Sequence, residues 1–327
     1  MAFFRNRKVQ MDTPSEINTG YGSNSKNYGG RFVNKNGKPN VEKKGIGYFE
    51  KLSWYHTLLI MPRYQFILMI VTFYISINLV FGFIYFFMGP EDIMGINSPN
   101  HLHNFAESFF FSCQTFTTVG YGRISPVSFF ASAISSLEAL LGLLTLAVIT
   151  GLLYGRFSRP KAYIRFSNDA LLSPFRGGEA IMLRLAPYKN TLLTEVEAKV
   201  TLGLVLDEDG NKINKFYSLP LEYNSVNSLT LSWTIVHPIN KESPFYNFSH
   251  EDYRNIKGEI IVFIKAFEET FSNTVVARTS YTLDEIIVGA SFSTMFHKAN
   301  SGDKTILHLD QLSAHKKSTL PKRDNVN

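Results

Sequence analysis

Two stretches of this chain lack any polar alternation. Tyr64 to Pro90 carries no charged side chain, and Ile124 to Gly155 carries only Glu138. At about 1.5 Å per helical residue, each exceeds the ~30 Å hydrocarbon core of a bilayer. The pattern predicts two membrane-spanning helices. The other reading, two buried helices of a large soluble fold, rarely tolerates charge-free runs of this length. Between them, "FAESFFFSCQTFT" (Phe105–Thr117) is apolar but too short to cross. It predicts a re-entrant pore helix, a form tolerated at membrane depth only when buried in protein or lining a watery path. Ahead of the first span, Phe49, Leu52, Trp54, Tyr55, Leu58 and Leu59 recur at helical spacing, with Glu50, Lys51 and His56 as polar points. This predicts an amphipathic helix over residues 46–61 lying in the membrane interface, where Trp and Tyr are favoured. A plain extension of the span is the alternative; Pro62 argues for a break instead.

Beyond Pro160 the period changes to two. Val196, Ala198, Val200, Leu202, Leu204 and Leu206 alternate with polar positions up to a turn at Asp207–Asn211. Further strands are predicted at Ile181–Leu185, Lys215–Leu221, Leu229–Ile235, Glu259–Ala266 and Thr274–Thr282. No long helical pattern interrupts them. Residues 160–312 therefore read as an all-β sandwich of the immunoglobulin-like class. Residues 1–45, rich in Asn, Gly, Ser and Lys, read as a flexible segment, with a short strand in "RFVNKNGKPNV" before an Asn-Gly turn. The basic tail, 313–327, reads as disordered.

The chain has 327 residues and a net charge of +6, which raises the question of nucleic acid. The distribution argues against it. Lys43, Lys44, Lys51 and Arg63 precede the first span, and Arg156, Arg159, Lys161 and Arg165 follow the second. Between the spans no Lys or Arg occurs before Arg123. This is the positive-inside pattern of a multi-pass protein of the inner (plasma) membrane, with both termini cytoplasmic. The single cysteine, Cys113, excludes an intramolecular disulfide. "MAFFRNRKVQMD" lacks the apolar core of a cleaved signal peptide. No P-loop, catalytic triad spacing or zinc-ligand set is present, so no enzyme is expected.

The chemistry lies in "TTVGYG". Rings of backbone carbonyls replace the water shell of potassium in Thr-Val-Gly-Tyr-Gly loops. Gly120 and Gly122 permit backbone angles that turn successive carbonyls to one axis. Thr118 adds a hydroxyl where an ion enters; Val119 and Tyr121 point away and brace the loop. One chain supplies one loop and a closed ring needs four, so a homotetramer is expected. No cofactor is expected beyond K+ ions in the filter. The competing reading is a non-conducting, membrane-anchored sensor or binding module with a vestigial pore.

From about Arg31 to Leu312 the chain resembles the inward-rectifier potassium channels, in the prokaryotic branch often called KirBac. The motifs are "RFVNKNGKPNV", "TTVGYG", "LEALLGLLTLAVI", "YGRFSRPKA", "LSWTIVHPINKESP" and "ARTSYTLDEIIVGASF". The resemblance implies a two-span pore domain (62–159), a slide helix and a cytoplasmic β domain that extends the pore. It implies narrow points at Leu146, where strongly rectifying relatives have an acid, and at Tyr154; simple packing at the helix crossing is the alternative. It implies contact of Arg156, Arg159 and Lys161 with anionic lipid head groups, phosphoinositides among them; topology-setting charge alone is the alternative. Ser272 to Ala277 matches a cytoplasmic constriction. The pore-helix Glu that eukaryotic members pair with an Arg is Gln114 here, and Arg123 follows the filter directly. A filter-bracing ion pair must therefore be arranged differently.

Four weaker signals remain. Glu138, ionisable within a span, should face protein or water, with a contact behind the filter as the expected use. Gly142 and Gly151 allow either bending or close helix approach. His101 and His103 read as a solvated loop rather than a metal site. His237 reads as an interface histidine rather than a pH sensor.

Overall fold

The computed structural model describes residues 19–20, 31–45, 47, 53–208, 211–299 and 303–321. They form two compact units, residues 44–159 and a second unit built from the segment up to Lys43 together with 160 onward.

The first unit is helical. Helix α1 (Trp54–Ile60) ends before Pro62, with Met61 held extended as a pre-proline residue prefers, and α2 (Arg63–Met88) starts immediately after. Of the predicted interfacial helix, residues 46 and 48–52 lie outside the described residues. A strand pair, β1 (Ile93–Met94) with β2 (Ser125–Pro126), flanks the pore helix α3 (His101–Phe116). Asn100 caps α3 through Leu102 N–H. Helix α4 (Phe129–Phe157) completes the unit, capped by Ser128. With 26 and 29 residues, α2 and α4 are long and apolar enough to cross a membrane. Their outward faces are apolar: Leu68 is 63 % and Val148 62 % exposed.

The second unit is the expected two-sheet sandwich. Its strands are β3 (Ile164–Phe166), β4 (Ala170–Phe175), β5 (Gly178–Pro187), β6 (Leu193–Glu208), β7 (Asn211–Ser218), β8 (Ser225–Ser228), β9 (Trp233–Pro238), β10 (Gly258–Glu268), β11 (Asn273–Thr282), β12 (Ile286–Val288), β13 (Ala290–Phe292), β14 (Phe296–Lys298), β15 (Thr305–Leu307) and β16 (His315–Lys317). One sheet runs β11-β10-β6-β7, with β8 also on β6. The other runs β12-β4-β5-β3, with β9 on β5. The period-two residues Val196 to Leu206 are buried as their alternation requires, against Leu172, Ile181, Leu183 and Leu185 of the facing sheet. The strand expected at Leu229–Ile235 is displaced: β9 starts only at Trp233.

Three expectations need correction. First, Arg31–Asn40 is not a loose segment. Phe32 and Val33 N–H donate to Glu259 (2.5 and 3.1 Å), Arg31 pairs with Glu285 (2.5 Å), and Val33 bridges to Pro39 around the Asn36–Gly37 turn. Second, the tail is ordered past 313. Strand β16 pairs with β13, because Arg184 on β5 gathers the carbonyls of Ser293, Gln311 and Leu312 (2.6–2.9 Å) and stacks on Phe292. Burial pulls this guanidinium below its ordinary pKa. Third, His237 belongs to the core of the sandwich, not to a surface. It is 3 % exposed, donating from Nδ1 to Pro220 O (2.6 Å) and accepting at Nε2 from Ser243 (2.8 Å). Burial lowers its pKa to about 4, so the ring is neutral.

Candidate selectivity filter and gate

The candidate filter, Thr118–Gly122, hangs from the last turn of α3. Thr117 closes the helix, with its hydroxyl donating to Cys113 O (2.7 Å). Thr118 N–H then donates to Thr115 O (3.0 Å) and Val119 N–H to Gln114 O (2.9 Å). From there φ alternates in sign: Thr118 +59°, Gly120 +56° and Gly122 +81° are left-handed, while Val119 and Tyr121 are not. Alternating handedness is what can undo the strand-like flip of successive peptides, the condition for carbonyls that face one side. Two glycines were expected to supply this geometry. Thr118, a β-branched residue in a region costing about 1–2 kcal/mol, was not. Strain of this kind persists where the surroundings enforce it.

Residues 117–123 are exposed throughout in the single chain, Tyr121 to 79 %. Tyr121 is therefore largely uncovered by its own protomer.

The bracing that the chain does supply is twofold. On the outer side, Arg123 forms an ion pair with Glu107 of α3, and His103 Nε2 lies 3.5 Å from the same carboxylate. This is the rearranged ion pair that Gln114 required. It also corrects the reading of His101 and His103 as loop residues: both lie in the first turn of α3. Behind the filter, Glu138 of α4 meets Tyr85 of α2 (2.5 Å) and Ser112 of α3 (2.5 Å). Ser112 also contacts Asn78 of α2 at 3.0 Å. All four side chains are buried. One turn below Glu138, Gly142 lies against α3, and a Cβ there would sit 1.9 Å from Phe116 O. Of the two readings of Gly142, close approach is the one realised. Gly151 has no such neighbour.

A cavity of about 300 Å³ brings Thr117, Thr118, Gly142 and Leu146 together beneath the filter. Leu146 is 63 % exposed and Tyr154 74 %, so neither packs the protomer's interior, and Tyr154 stands apart from the cavity. Arg156 departs from the lipid expectation. Its guanidinium donates to Leu58 O and to Met61 O (2.7 Å) and covers the Phe66 ring at 4.3 Å. The orphan carbonyls at the end of α1 attract a cation, and Arg156 satisfies them. Arg159 and Lys161 remain exposed. Ser272 sits in the β10–β11 turn at φ +47°, and Asn273–Ala277 pairs with Glu268–Ile264. No cluster of three or more metal-ligating side chains occurs among the described residues.

Residues 70–159 match the family described as "Ion channel", and residues 164–324 the "Inward rectifier potassium channel C-terminal domain". Among curated proteins, the chain is 35 % identical over 283 residues to the inward rectifier potassium channel Kirbac3.1 of Paramagnetospirillum magnetotacticum, covering 84 % of this chain and 92 % of that one. It is 28 % identical to the inward rectifier potassium channel irk-1 of Caenorhabditis elegans, over 80 % of this chain and 52 % of the relative. It is also 28 % identical to the human G protein-activated inward rectifier potassium channel 4, over 80 % and 68 %. A helical pore unit with a Thr-Val-Gly-Tyr-Gly loop, joined to a β domain of this type, places the chain in one family: it belongs to the inward rectifier potassium channels, of the prokaryotic KirBac type, and is a channel protein rather than an enzyme.

Proposed function

We propose that four copies of this chain surround one axis in the plasma membrane, with both termini cytoplasmic, and pass K+ passively through the ring formed by Thr118–Gly122. The observation that carries this reading is the filter's isolation. Seven consecutive residues with alternating backbone handedness lie exposed in one chain, and a single loop gives an ion one quarter of a shell. Neighbouring copies supply the surfaces that Val119 and Tyr121 meet. Below the filter, four Leu146 side chains line the cavity and four Tyr154 side chains form a narrower apolar ring, which gates by dewetting. The β domain modulates that gate. Arg159 and Lys161, exposed and cationic, bind anionic lipid head groups, phosphoinositides included, at about 1 kcal/mol per charge. No cofactor is needed.

Mass measurement of the full chain in detergent should give four copies; a monomer or dimer would overturn the ring. In liposomes, Leu146→Asp should strengthen block by internal magnesium. An unchanged block would remove Leu146 from the ion path.

A further inference from the structure

The contact behind the filter holds more than a buried carboxylate seeking partners. Asn78, Ser112 and Glu138 are 0 % exposed and Tyr85 is 1 % exposed, and they come from all three long helices of the pore unit. No Lys, Arg or His pairs with Glu138 among the described residues. The hydrogens can be counted. Asn78 Nδ2 donates to Tyr74 O (2.7 Å), which leaves its Oδ1 facing Ser112. Three contacts then need a hydrogen: Tyr85 to Glu138 Oε2, Glu138 Oε1 to Ser112, and Ser112 to Asn78 Oδ1. The two hydroxyls supply one each. The third lies on the carboxyl itself, and every contact is then satisfied.

The register gives this arrangement a purpose. Glu138 and Gly142 are one turn apart on α4, and they touch Ser112 and Phe116, one turn apart on α3. The two rungs fix the turn whose Gln114 and Thr115 carbonyls hold Val119 and Thr118. We propose that Glu138 is a positioning residue for the filter: it accepts a hydrogen bond from Tyr85, donates one to Ser112, and so locks the filter-bearing turn of α3 between α2 and α4. A side chain of equal length that both accepts and donates should replace it.

The test uses the full chain in liposomes, reading K+ flux and K+/Na+ selectivity. Glu138→Gln presents its oxygen to Tyr85 and its NH2 to Ser112, and should stay within about twofold of the wild type. Glu138→Leu and the milder Ser112→Ala leave buried polar groups unsatisfied and should lose flux about tenfold or lose selectivity. The wild-type-minus-Glu138→Gln infrared difference spectrum should contain the carbonyl stretch of an un-ionised carboxylic acid. If Glu138→Leu fails to assemble while Glu138→Gln assembles and conducts, the rescue still supports the role. Loss of flux in Glu138→Gln, normal selective flux in Ser112→Ala, or absence of that infrared band would overturn it. The inference rests on the filter reading, and wild-type flux separates the two: its absence sinks the filter, whereas these variants sink only the role of Glu138.

Discussion

The two units are built inside out relative to each other. In the β domain, Leu171, Leu172, Leu185, Leu193 and Leu202 are wholly buried. In the pore unit the wholly buried side chains include Asn78, Ser112 and Glu138, while Leu68 and Val148 face outward. The sandwich folds by removing apolar surface from water. The pore helices, whose outer surroundings are as apolar as leucine, gain nothing comparable from burying leucine. They associate through close backbone approach and hydrogen bonds instead. The fold of one unit should respond to lost volume, and the other to lost fit.

The largest effect expected from this contrast is at Gly142. Gly142→Val drives a branched side chain into the Phe116 carbonyl, and K+ flux should fall at least about tenfold, since overpacking of this kind costs 1–3 kcal/mol or more. Gly151→Ala, with nothing within 4 Å, should conduct normally. Equal tolerance at both positions would break the contrast.

Next comes a matched pair of leucines. Leu172→Ala in the sandwich should cost about 2–5 kcal/mol of stability in denaturant titration. Leu68→Ala, on the outward face of α2, should change it by less than about 0.5 kcal/mol.

The third concerns pH and the sandwich core. His237 has a folded pKa of about 4, below the ordinary value of 6.5. On acidification the unfolded chain takes up the proton first. Stability from the neutral ring is complete above about pH 6.5 and is lost between there and pH 4, on the order of 3 kcal/mol. Thermal unfolding of the β domain within the full chain should show this slope, and His237→Gln should flatten it.

The smallest effect lies at the surface. Arg159→Gln should weaken binding to anionic vesicles by about fivefold, from roughly 1 kcal/mol per charge. Arg156→Gln should instead loosen α1, read as faster amide exchange at Leu58–Met61.

The spans, the re-entrant helix and the sandwich were legible because each rests on one solvent preference repeated along a segment. Runs with almost no charge announce Arg63–Met88 and Phe129–Phe157, and alternation announces β6. What stayed hidden depends on partners distant in sequence. Arg184 reads as a polar break in an apolar strand until the carbonyls of 293 and 311–312 surround it. Arg156 reads as a membrane-surface cation until the end of α1 is placed beside it. Nothing in "TTVGYG" marks Thr118 as left-handed, since propensity favours glycine there. Glu138 was conspicuous as the one charge in a span; its partners were not.

The central claim is that the backbone of Thr118–Gly122 carries potassium. Liposomes containing the purified chain, loaded with K+ and assayed for flux against K+ and Na+ gradients, test it most directly. The account predicts K+ flux that excludes Na+, is blocked by barium, and is lost in Gly120→Ala, where a side chain would meet a φ of +56°. No flux in any lipid composition, or the same flux in Gly120→Ala, would contradict it.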